Sequence, residues 1–297
     1  MMSTGTLGFV GLGNMGVPMV SRLLTAGFGV TGYDVSNRAG EELNALRGYS
    51  RAESIDAVAD HPIVFLMLPS SRVVEEVLER QGLLSAMSAG SLIVDMGSSQ
   101  PRETQRMAGR ARSHELRLMD APVSGGVPAA RDGSLTIMAG GPHEWLDECR
   151  PALEHIGNHI VHAGPVGTGH ALKALNNLLS ASHLIASSEA LIIGTHFGLD
   201  PQVMMDAINE SSGRSGSTLT KWPRYILPRT FNSGFQLQLL LKDTRIAVEL
   251  AHETGVAAPH AESTLSLWQT AGDELPKDAD HTDIHRWLEG KSERPGN

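Results

Sequence analysis

The segment Gly11-Leu-Gly-Asn-Met-Gly16 follows a short apolar run and precedes an amphipathic stretch, so a Gly-x-Gly-x-x-Gly turn joins a predicted strand to a predicted helix. In such a turn Gly11 permits the tight bend, Gly13 lets the backbone approach a pyrophosphate, and Gly16 lets the helix pack close to the strand. The helix N-terminus then faces the phosphate charge. The alternative is a flexible turn. The predicted cofactor loop consists of Gly11, Leu12, Gly13, Asn14, Met15 and Gly16.

Short apolar runs alternate with amphipathic segments through the first half of the chain. The predicted strands are 7–10, 30–33, 63–68, 92–94, 116–119, 135–139 and 160–161, and the predicted helices between them include 15–24, 72–78 and 101–113. This alternation predicts a parallel sheet covered on both faces, which is an α/β fold. From residue 165 the pattern is helical, with predicted helices at 168–197, 201–210, 217–225, 237–254, 258–271 and 283–288.

Asp34 ends the second predicted strand, 18 residues after Gly16. An acid at about this distance accepts hydrogen bonds from the adenosine ribose and repels a 2′-phosphate, so it favours NAD over NADP. One alternative is a loop aspartate that caps the next helix. A second is that Asn37 and Arg38, which follow closely, bind a 2′-phosphate.

Three further segments lie where ligands of open α/β sheets bind. Leu68 ends one predicted strand and Pro69 follows it, and Ser98 or Ser99 supplies a hydroxyl after the next strand; both segments are otherwise ordinary strand-to-helix turns. Ser124, Gly125 and Gly126 follow the strand at 116–119 and can direct backbone N–H groups into a concave nest for a carboxylate. The alternative for this third segment is a simple glycine turn.

Lys173 and Asn177 lie four residues apart in an apolar helical segment, so their side chains share one face. The asparagine can hold a hydroxyl or carbonyl oxygen while the lysine supplies or receives its proton. The alternative is a lysine that extends its ammonium from an apolar helix to water.

Four motifs in this order resemble the β-hydroxyacid dehydrogenase family, which includes 3-hydroxyisobutyrate dehydrogenase and tartronate semialdehyde reductase. They are residues 8–19, residues 120–126, residues 167–177 and Lys242-Asp243. The resemblance covers nearly the whole chain. It implies a Rossmann-type NAD(P)-binding domain over 1–164 and an all-helical substrate and oligomerisation domain over 165–297 that starts with a long interdomain helix.

The resemblance also implies residue roles. Lys173 matches the catalytic lysine and Asn177 the asparagine that orients the substrate, while Ser124, Gly125 and Gly126 match the carboxylate-binding loop. Lys242 matches a lysine near the nicotinamide and Ser98 a small hydroxyl residue on the cofactor side. Whether the turn that contains Ser211, Ser212 and Arg214 reaches the substrate or is structural stays open.

The implied reaction is hydride transfer between NAD(P), with NAD preferred, and a small 3-hydroxy acid or its semialdehyde. The alternatives on the same scaffold are reduction of tartronate semialdehyde, of another polyhydroxy-acid substrate or of an imine. An alternative of a different class is a non-catalytic regulatory protein that binds the nicotinamide cofactor.

Composition limits the partners. The chain has 24 Lys and Arg against 33 Asp and Glu, a formal charge of -9, which disfavours nucleic acid and anionic membranes as partners. The single cysteine, Cys149, cannot form an intramolecular disulfide and is expected to be an ordinary buried residue in a cytoplasmic protein. No metal site is expected, and the resemblance implies a homodimer or homotetramer.

Overall fold

The computed structural model describes residues 5–292. The chain forms two compact units, Met1–Lys173 and Ala174–Asn297. The division between them falls inside a long helix, α8 (Thr168–Phe197). The helix has the bounds predicted from the sequence, 168–197, so that prediction is confirmed. Its first residues, up to Lys173, belong to the first unit.

A nine-stranded sheet forms the centre of the first unit. Its strands are β1 (Thr6–Val10), β2 (Gly29–Tyr33), β3 (Tyr49–Arg51), β4 (Ile63–Leu66), β5 (Leu92–Asp95), β6 (Arg117–Asp120), β7 (Val123–Ser124), β8 (Leu135–Gly140) and β9 (Gly157–Gly164). They lie in the order β3-β2-β1-β4-β5-β6-β8-β7, with β9 paired to β8. The predicted parallel pairing is confirmed for β1 to β6. β8 reverses direction, because it runs antiparallel to β6 and β7.

Helices connect these strands. They are α1 (Gly16–Thr25), α2 (Ile55–Ala59), α3 (Ser71–Glu75), α4 (Leu83–Ala86), α5 (Pro101–Ser113), α6 (Gly126–Asp132) and α7 (His143–Ile156). A 3₁₀ helix covers Glu41–Ala45 and a π-helical turn follows α3 at Glu76–Arg80. The strand order 3-2-1-4-5-6 with helical crossovers is the Rossmann arrangement that the resemblance implies.

Adjacent residues of the central strands pack into different apolar clusters. Phe9 and Phe65 belong to one cluster, with ring centroids 6.2 Å apart, whereas Val10 and Leu66 belong to the other. Successive side chains of a strand point to opposite faces, so the sheet is buried on both sides.

Cys149 lies in the first of these clusters, on α7, and is almost completely buried. Burial raises the pKa of its thiol to about 12. The thiol is therefore protonated at neutral pH and unsuited to nucleophilic chemistry. The prediction of an ordinary buried cysteine is confirmed.

The second unit is helical. After α8 it contains α9 (Pro201–Asn209), a π-helical segment (Ser217–Ile226), α10 (Leu237–Thr254), α11 (Pro259–Glu274), a 3₁₀ turn (His281–Asp283) and α12 (Ile284–Ser292). Trp222 and Trp268 are fully buried in its core, and the Trp268 indole N–H donates to the Ala181 carbonyl oxygen over 3.3 Å. This bond joins α11 to α8.

By length and composition alone, α8 is apolar enough to cross a membrane, with a mean hydropathy of 1.3 over its most apolar window. Half of that window is buried inside the protein. A helix in the core of a protein has the same length and composition, so this property alone does not indicate a membrane span.

Candidate active site

The glycine loop between β1 and α1 is constrained by its own backbone at two positions. Gly11 has a φ of +99°, a backbone conformation that residues with a side chain rarely adopt. A Cβ on Gly16 would overlap the carbonyl oxygen of Gly11, so the close packing predicted for Gly16 is present. A Cβ on Gly13, in contrast, would meet no described heavy atom within 4 Å. The space beside Gly13 is therefore open to a ligand.

The N-terminus of α1 suits an anion. Among the described residues no side chain caps this helix, whose N-cap position is Met15 and whose neighbour Asn14 is exposed. The first amides of a helix have no partner inside the helix and lie at its positive end. Together with the open space beside Gly13, they fit a pyrophosphate.

Asp34 braces this loop. Its carboxylate accepts hydrogen bonds from the N–H groups of Leu12 and Ser36, each over 2.8 Å. The Leu12 amide is thus engaged by Asp34. A carboxylate has about four acceptor positions, so Asp34, which is half-buried, keeps acceptors for ribose hydroxyls.

Arg51, on β3, holds the segment that follows β2. Its guanidinium donates to the carbonyl oxygens of Ala39, of Ser36 at 2.8 Å and of Asp34 at 3.5 Å. Sequence reasoning did not identify Arg51, because a bond to a distant backbone carbonyl leaves no pattern in the chain. Arg38, the predicted alternative for a 2′-phosphate, is exposed.

The segments that follow β4 and β5 lie against the glycine loop and each other. A Cβ on Gly11 would lie 3.2 Å from the Leu68 side chain, and a Cβ on Gly97 would lie 2.5 Å from the Leu68 carbonyl oxygen. Pro69 is exposed and Ser98 half-buried. Ser99 is buried and donates to the Asp95 carboxylate over 2.8 Å. Of the two serines, Ser98 is therefore the one placed to meet a ligand.

The predicted carboxylate loop lies between β7 and α6. Gly125 and Gly126 both have positive φ, +127° and +68°, and both are exposed, while Ser124 ends β7. A Cβ on Gly125 would lie 2.5 Å from the Ala129 Cβ. Both glycines therefore lie in a turn that residues with a side chain rarely adopt, and their exposure leaves the turn accessible to a ligand.

A buried carboxylate holds the start of α8. Asp120, at the end of β6, is fully buried and accepts from the N–H groups of Gly167 over 2.6 Å and His170 over 2.8 Å. Burial raises the pKa of Asp120, and the contacts with His170 and Gly167 oppose this shift. The imidazole Nδ1 of His170 lies 2.8 Å from the Thr104 hydroxyl. Sequence reasoning quoted Asp120 within a motif but did not assign it this role.

Lys173 lies on α8 one turn before Asn177, and it is nearly buried at 9% exposure. In the second unit, Asn177 donates its side-chain amide to the carboxylate of Asp243 over 2.6 Å. The Lys242 ammonium lies 3.1 Å from the other oxygen of Asp243. Asp243 therefore brings Asn177 and Lys242 together. Because an ionised carboxylate only accepts, it also fixes the orientation of the Asn177 amide.

The remaining candidates lie elsewhere. Ser211, Ser212 and Arg214 are exposed beyond α9, and the Ser211 hydroxyl donates to the Ala207 carbonyl oxygen. Between residues 5 and 292 the structure shows no group of three or more His, Cys, Asp or Glu side chains that could hold a metal ion.

Two family models match the chain. One, described as the NAD binding domain of 6-phosphogluconate dehydrogenase, matches residues 6–164. The other, described as NAD-binding of NADP-dependent 3-hydroxyisobutyrate dehydrogenase, matches residues 167–288. Together they cover nearly all the described residues.

Relatives and a solved structure agree with these matches. The chain is 38% identical to 2-(hydroxymethyl)glutarate dehydrogenase of Eubacterium barkeri, over 89% of this chain and 88% of that protein. It is 35% identical to NAD-dependent L-serine dehydrogenase of Pseudomonas aeruginosa, over 89% and 91% respectively. The structure of Mycobacterium tuberculosis 3-hydroxyisobutyrate dehydrogenase with L-serine superimposes with a TM-score of 0.88, 30% identity and coverage of 96% and 99%.

The two glycines of the loop are expected to respond differently to the same substitution. Gly16→Ala should lower the free energy of unfolding by about 1–3 kcal/mol, because its Cβ would overlap backbone. Gly13→Ala should change it by less than about 1 kcal/mol, yet weaken dinucleotide binding by about 10-fold or more, because its Cβ would occupy the ligand's space. Urea unfolding and calorimetric titration with NAD measure the two effects. If the two variants lost the same NAD affinity and had the same free energy of unfolding, this division of roles between Gly13 and Gly16 would be wrong.

Proposed function

The chain belongs to the β-hydroxyacid dehydrogenase family, and we propose on this premise that it transfers a hydride between a nicotinamide cofactor and the alcohol carbon of a small 3-hydroxy acid. The observation that carries the proposal is the pair Lys173 and Asn177 on one face of α8, with the Asn177 amide oriented by buried Asp243. A polar pair placed in this way on an apolar helix is suited to proton transfer at a bound oxygen.

The residues of the first unit that would hold the cofactor are those at the carboxyl edge of the sheet. The loop 11–16 would hold the pyrophosphate and Asp34 the ribose. Leu68, Pro69 and Ser98 would contact the rest of the cofactor. Lys242 completes the proposed cofactor residues. The nicotinamide, when bound, supplies the hydride chemistry.

Lys173 acts as general base and general acid. In oxidation its neutral amine takes the hydroxyl proton of the substrate, and in reduction its ammonium returns a proton to the carbonyl oxygen. Ser124, Gly125 and Gly126 hold the substrate carboxylate. The Asn177 amide nitrogen has two hydrogens, one of which is donated to Asp243, and the second binds an oxygen of the substrate.

The substrates named for the relatives share one chemical group. In 2-(hydroxymethyl)glutarate, L-serine and 3-hydroxyisobutyrate, a CH₂OH group and a carboxylate are attached to the same carbon. They differ in the third substituent on that carbon, which is a propionate, an ammonium or a methyl group. We therefore take the substrate to be a 3-hydroxy acid of this form, whose third substituent depends on residues outside the motifs.

The rival reactions make different demands on Lys173. Reduction of tartronate semialdehyde or of another polyhydroxy-acid substrate would use it in the same way. An iminium substrate carries a positive charge, which an ammonium at this position repels. A regulatory protein that only binds the cofactor has no use for a nearly buried lysine beside an oriented amide. These considerations favour the alcohol–aldehyde couple.

Exposed apolar side chains on α8 support the expected homodimer or homotetramer. Leu175, Leu179, Ile193 and Phe197 are 43%, 57%, 69% and 85% exposed. Their recurrence along one helix is typical of a surface covered by another subunit. The proposed location is the cytoplasm, which the single buried cysteine supports.

Sedimentation velocity should show a dimer or tetramer at micromolar concentration, and a monomer would contradict the proposed assembly.

Lys173→Ala is expected to lower kcat by about 10²–10⁴-fold, the usual contribution of a general acid–base group. The Kd for NAD should stay within about twofold, since the glycine loop is untouched. Lys277→Ala, at an exposed lysine, is the matched control and should retain full activity. The measurement is the initial rate of reduced nicotinamide formation with 3-hydroxyisobutyrate, L-serine and 2-(hydroxymethyl)glutarate. Undiminished turnover in Lys173→Ala would remove this lysine from the mechanism.

We propose a preference for NAD over NADP, because the Asp34 carboxylate would repel a 2′-phosphate. Asp34→Ser should raise the ratio of kcat/KM with NADP to that with NAD by about 10-fold or more. Arg38→Ala, the control for the competing interpretation, should leave this ratio within about twofold. A wild-type enzyme that prefers NADP and loses this preference in Arg38→Ala would reverse the assignment.

A further inference from the structure

A second lysine is held against α8 in the second unit. The Lys221 ammonium donates to the Ser180 hydroxyl over 3.1 Å and lies 2.6 Å from Nε2 of His281. Ser180, Lys221 and His281, here called the Lys221 cluster, belong to α8, to the π-helical segment and to the turn before α12. None of these residues lies in the motifs by which the family was identified.

The protonation of His281 follows from its partners. Its Nδ1 lies 3.1 Å from the Phe235 carbonyl oxygen, which can only accept, so Nδ1 carries the hydrogen. Burial lowers the pKa of His281, so the ring is neutral at pH 7. Nε2 then presents a lone pair, and the Lys221 ammonium donates to it. The histidine therefore helps to fix the position of the Lys221 ammonium.

The Asp280 carboxylate and the Lys221 ammonium lie on opposite sides of the His281 ring. The Asp280 carboxylate lies on the Nδ1 side of the His281 ring, at 3.4 Å, whereas Lys221 lies on the Nε2 side. The same carboxylate accepts hydrogen bonds from Ser233, Gly234 and Thr282. The imidazole thus separates the Asp280 charge from the Lys221 charge.

The position of the cluster along α8 connects it to the proposed site. Ser180 follows Asn177 by three residues and Lys173 by seven, so the three side chains lie on the same face of the helix. At the rise of an α-helix, Ser180 is about 4.5 Å beyond Asn177. The Lys221 ammonium, bonded to Ser180, places a positive charge about one turn beyond the proposed substrate-orienting amide.

We propose that Lys221 determines substrate specificity by binding a second carboxylate, carried by the third substituent of the 3-hydroxy acid. The inference rests on the proposed function, which sets the CH₂OH group and the first carboxylate but leaves that substituent open. A 3-hydroxy acid with a carboxylate on a short side chain is the preferred substrate. A small neutral substituent forgoes this ion pair, and a cationic one is repelled by the ammonium.

The test compares 2-(hydroxymethyl)glutarate with 3-hydroxyisobutyrate, which has the same reacting carbon but a methyl substituent. The wild type should show a kcat/KM at least about 10-fold higher for the dicarboxylate, chiefly through a lower KM. Lys221→Met should reduce that ratio by about 10- to 100-fold, the range for a hydrogen bond to a charged group. Lys221→Arg should retain most of the preference, and the exposed control Lys277→Met should leave the ratio unchanged.

A purely structural role of the cluster would lower the activity of Lys221→Met on both acids by the same factor, and that result would overturn the proposal. If the variant does not fold, inhibition of the wild type decides: glutarate should compete with 3-hydroxyisobutyrate at least about 10-fold more strongly than butyrate. Equal inhibition would overturn the specificity role. Turnover of 3-hydroxyisobutyrate without a dicarboxylate preference defeats only this inference, whereas silence with every hydroxy acid defeats the proposed function as well.

Discussion

The buried carboxylate of Asp120 fixes the start of α8, and the proposed chemistry depends on that position. Burying a carboxylate away from water costs free energy unless hydrogen-bond donors replace the water. Asp120 has two such donors, the backbone amides of Gly167 and His170. Because α8 is continuous from Thr168 onward, the bonds at its first turn also fix the position of Lys173 relative to the sheet. Gly169 makes the contact possible, since a Cβ there would overlap the Met138 carbonyl oxygen.

The same arrangement, an aspartate that accepts hydrogen bonds from a neighbouring loop, occurs at three strand ends. Asp34 accepts from Leu12 and Ser36, Asp95 accepts from Gly97 and Ser99, and Asp120 accepts from Gly167 and His170. Each aspartate thereby organises a loop at the carboxyl edge of the sheet. Burial separates their roles: Asp95 and Asp120 are closed off at 1% and 0% exposure, whereas Asp34 is half-buried. Of these three carboxylates, Asp34 alone is placed to meet a ligand.

The parts of the fold that the sequence predicts are those with strong periodicity or local punctuation. α5 and α8 have the predicted bounds, since Pro101 opens the first and a long apolar pattern sustains the second. β3 was missed because it has only three residues and packs at the sheet edge. α7 was missed because Pro151 lies inside it and interrupts the pattern expected of a helix.

The residues of the proposed site likewise divide into those that the sequence predicts and those that it does not. The glycine loop and the Lys173 and Asn177 spacing are local, so the sequence displays them. The partners that fix their geometry are distant along the chain, and although two of the motifs contain these carboxylates, no local pattern reveals which groups they contact. Asp243 lies 66 residues from Asn177, and Asp120 lies 50 residues from His170. Sequence reasoning therefore identified the groups proposed to carry the chemistry, but not the carboxylates that orient them.

This division explains why motifs identify a reaction class more readily than a substrate. Hydride transfer places strict demands on backbone turns and on one proton-transferring group, and these demands fall on a few local positions. In the proposed complex, the third substituent of the acid meets a side chain that reaches α8 from another helical segment. Lys221 is such a side chain: it contacts His281, 60 residues away, and Ser180, 41 residues away. A substitution at any of these three positions would alter the recognition of the acid while leaving the hydride-transfer motifs intact.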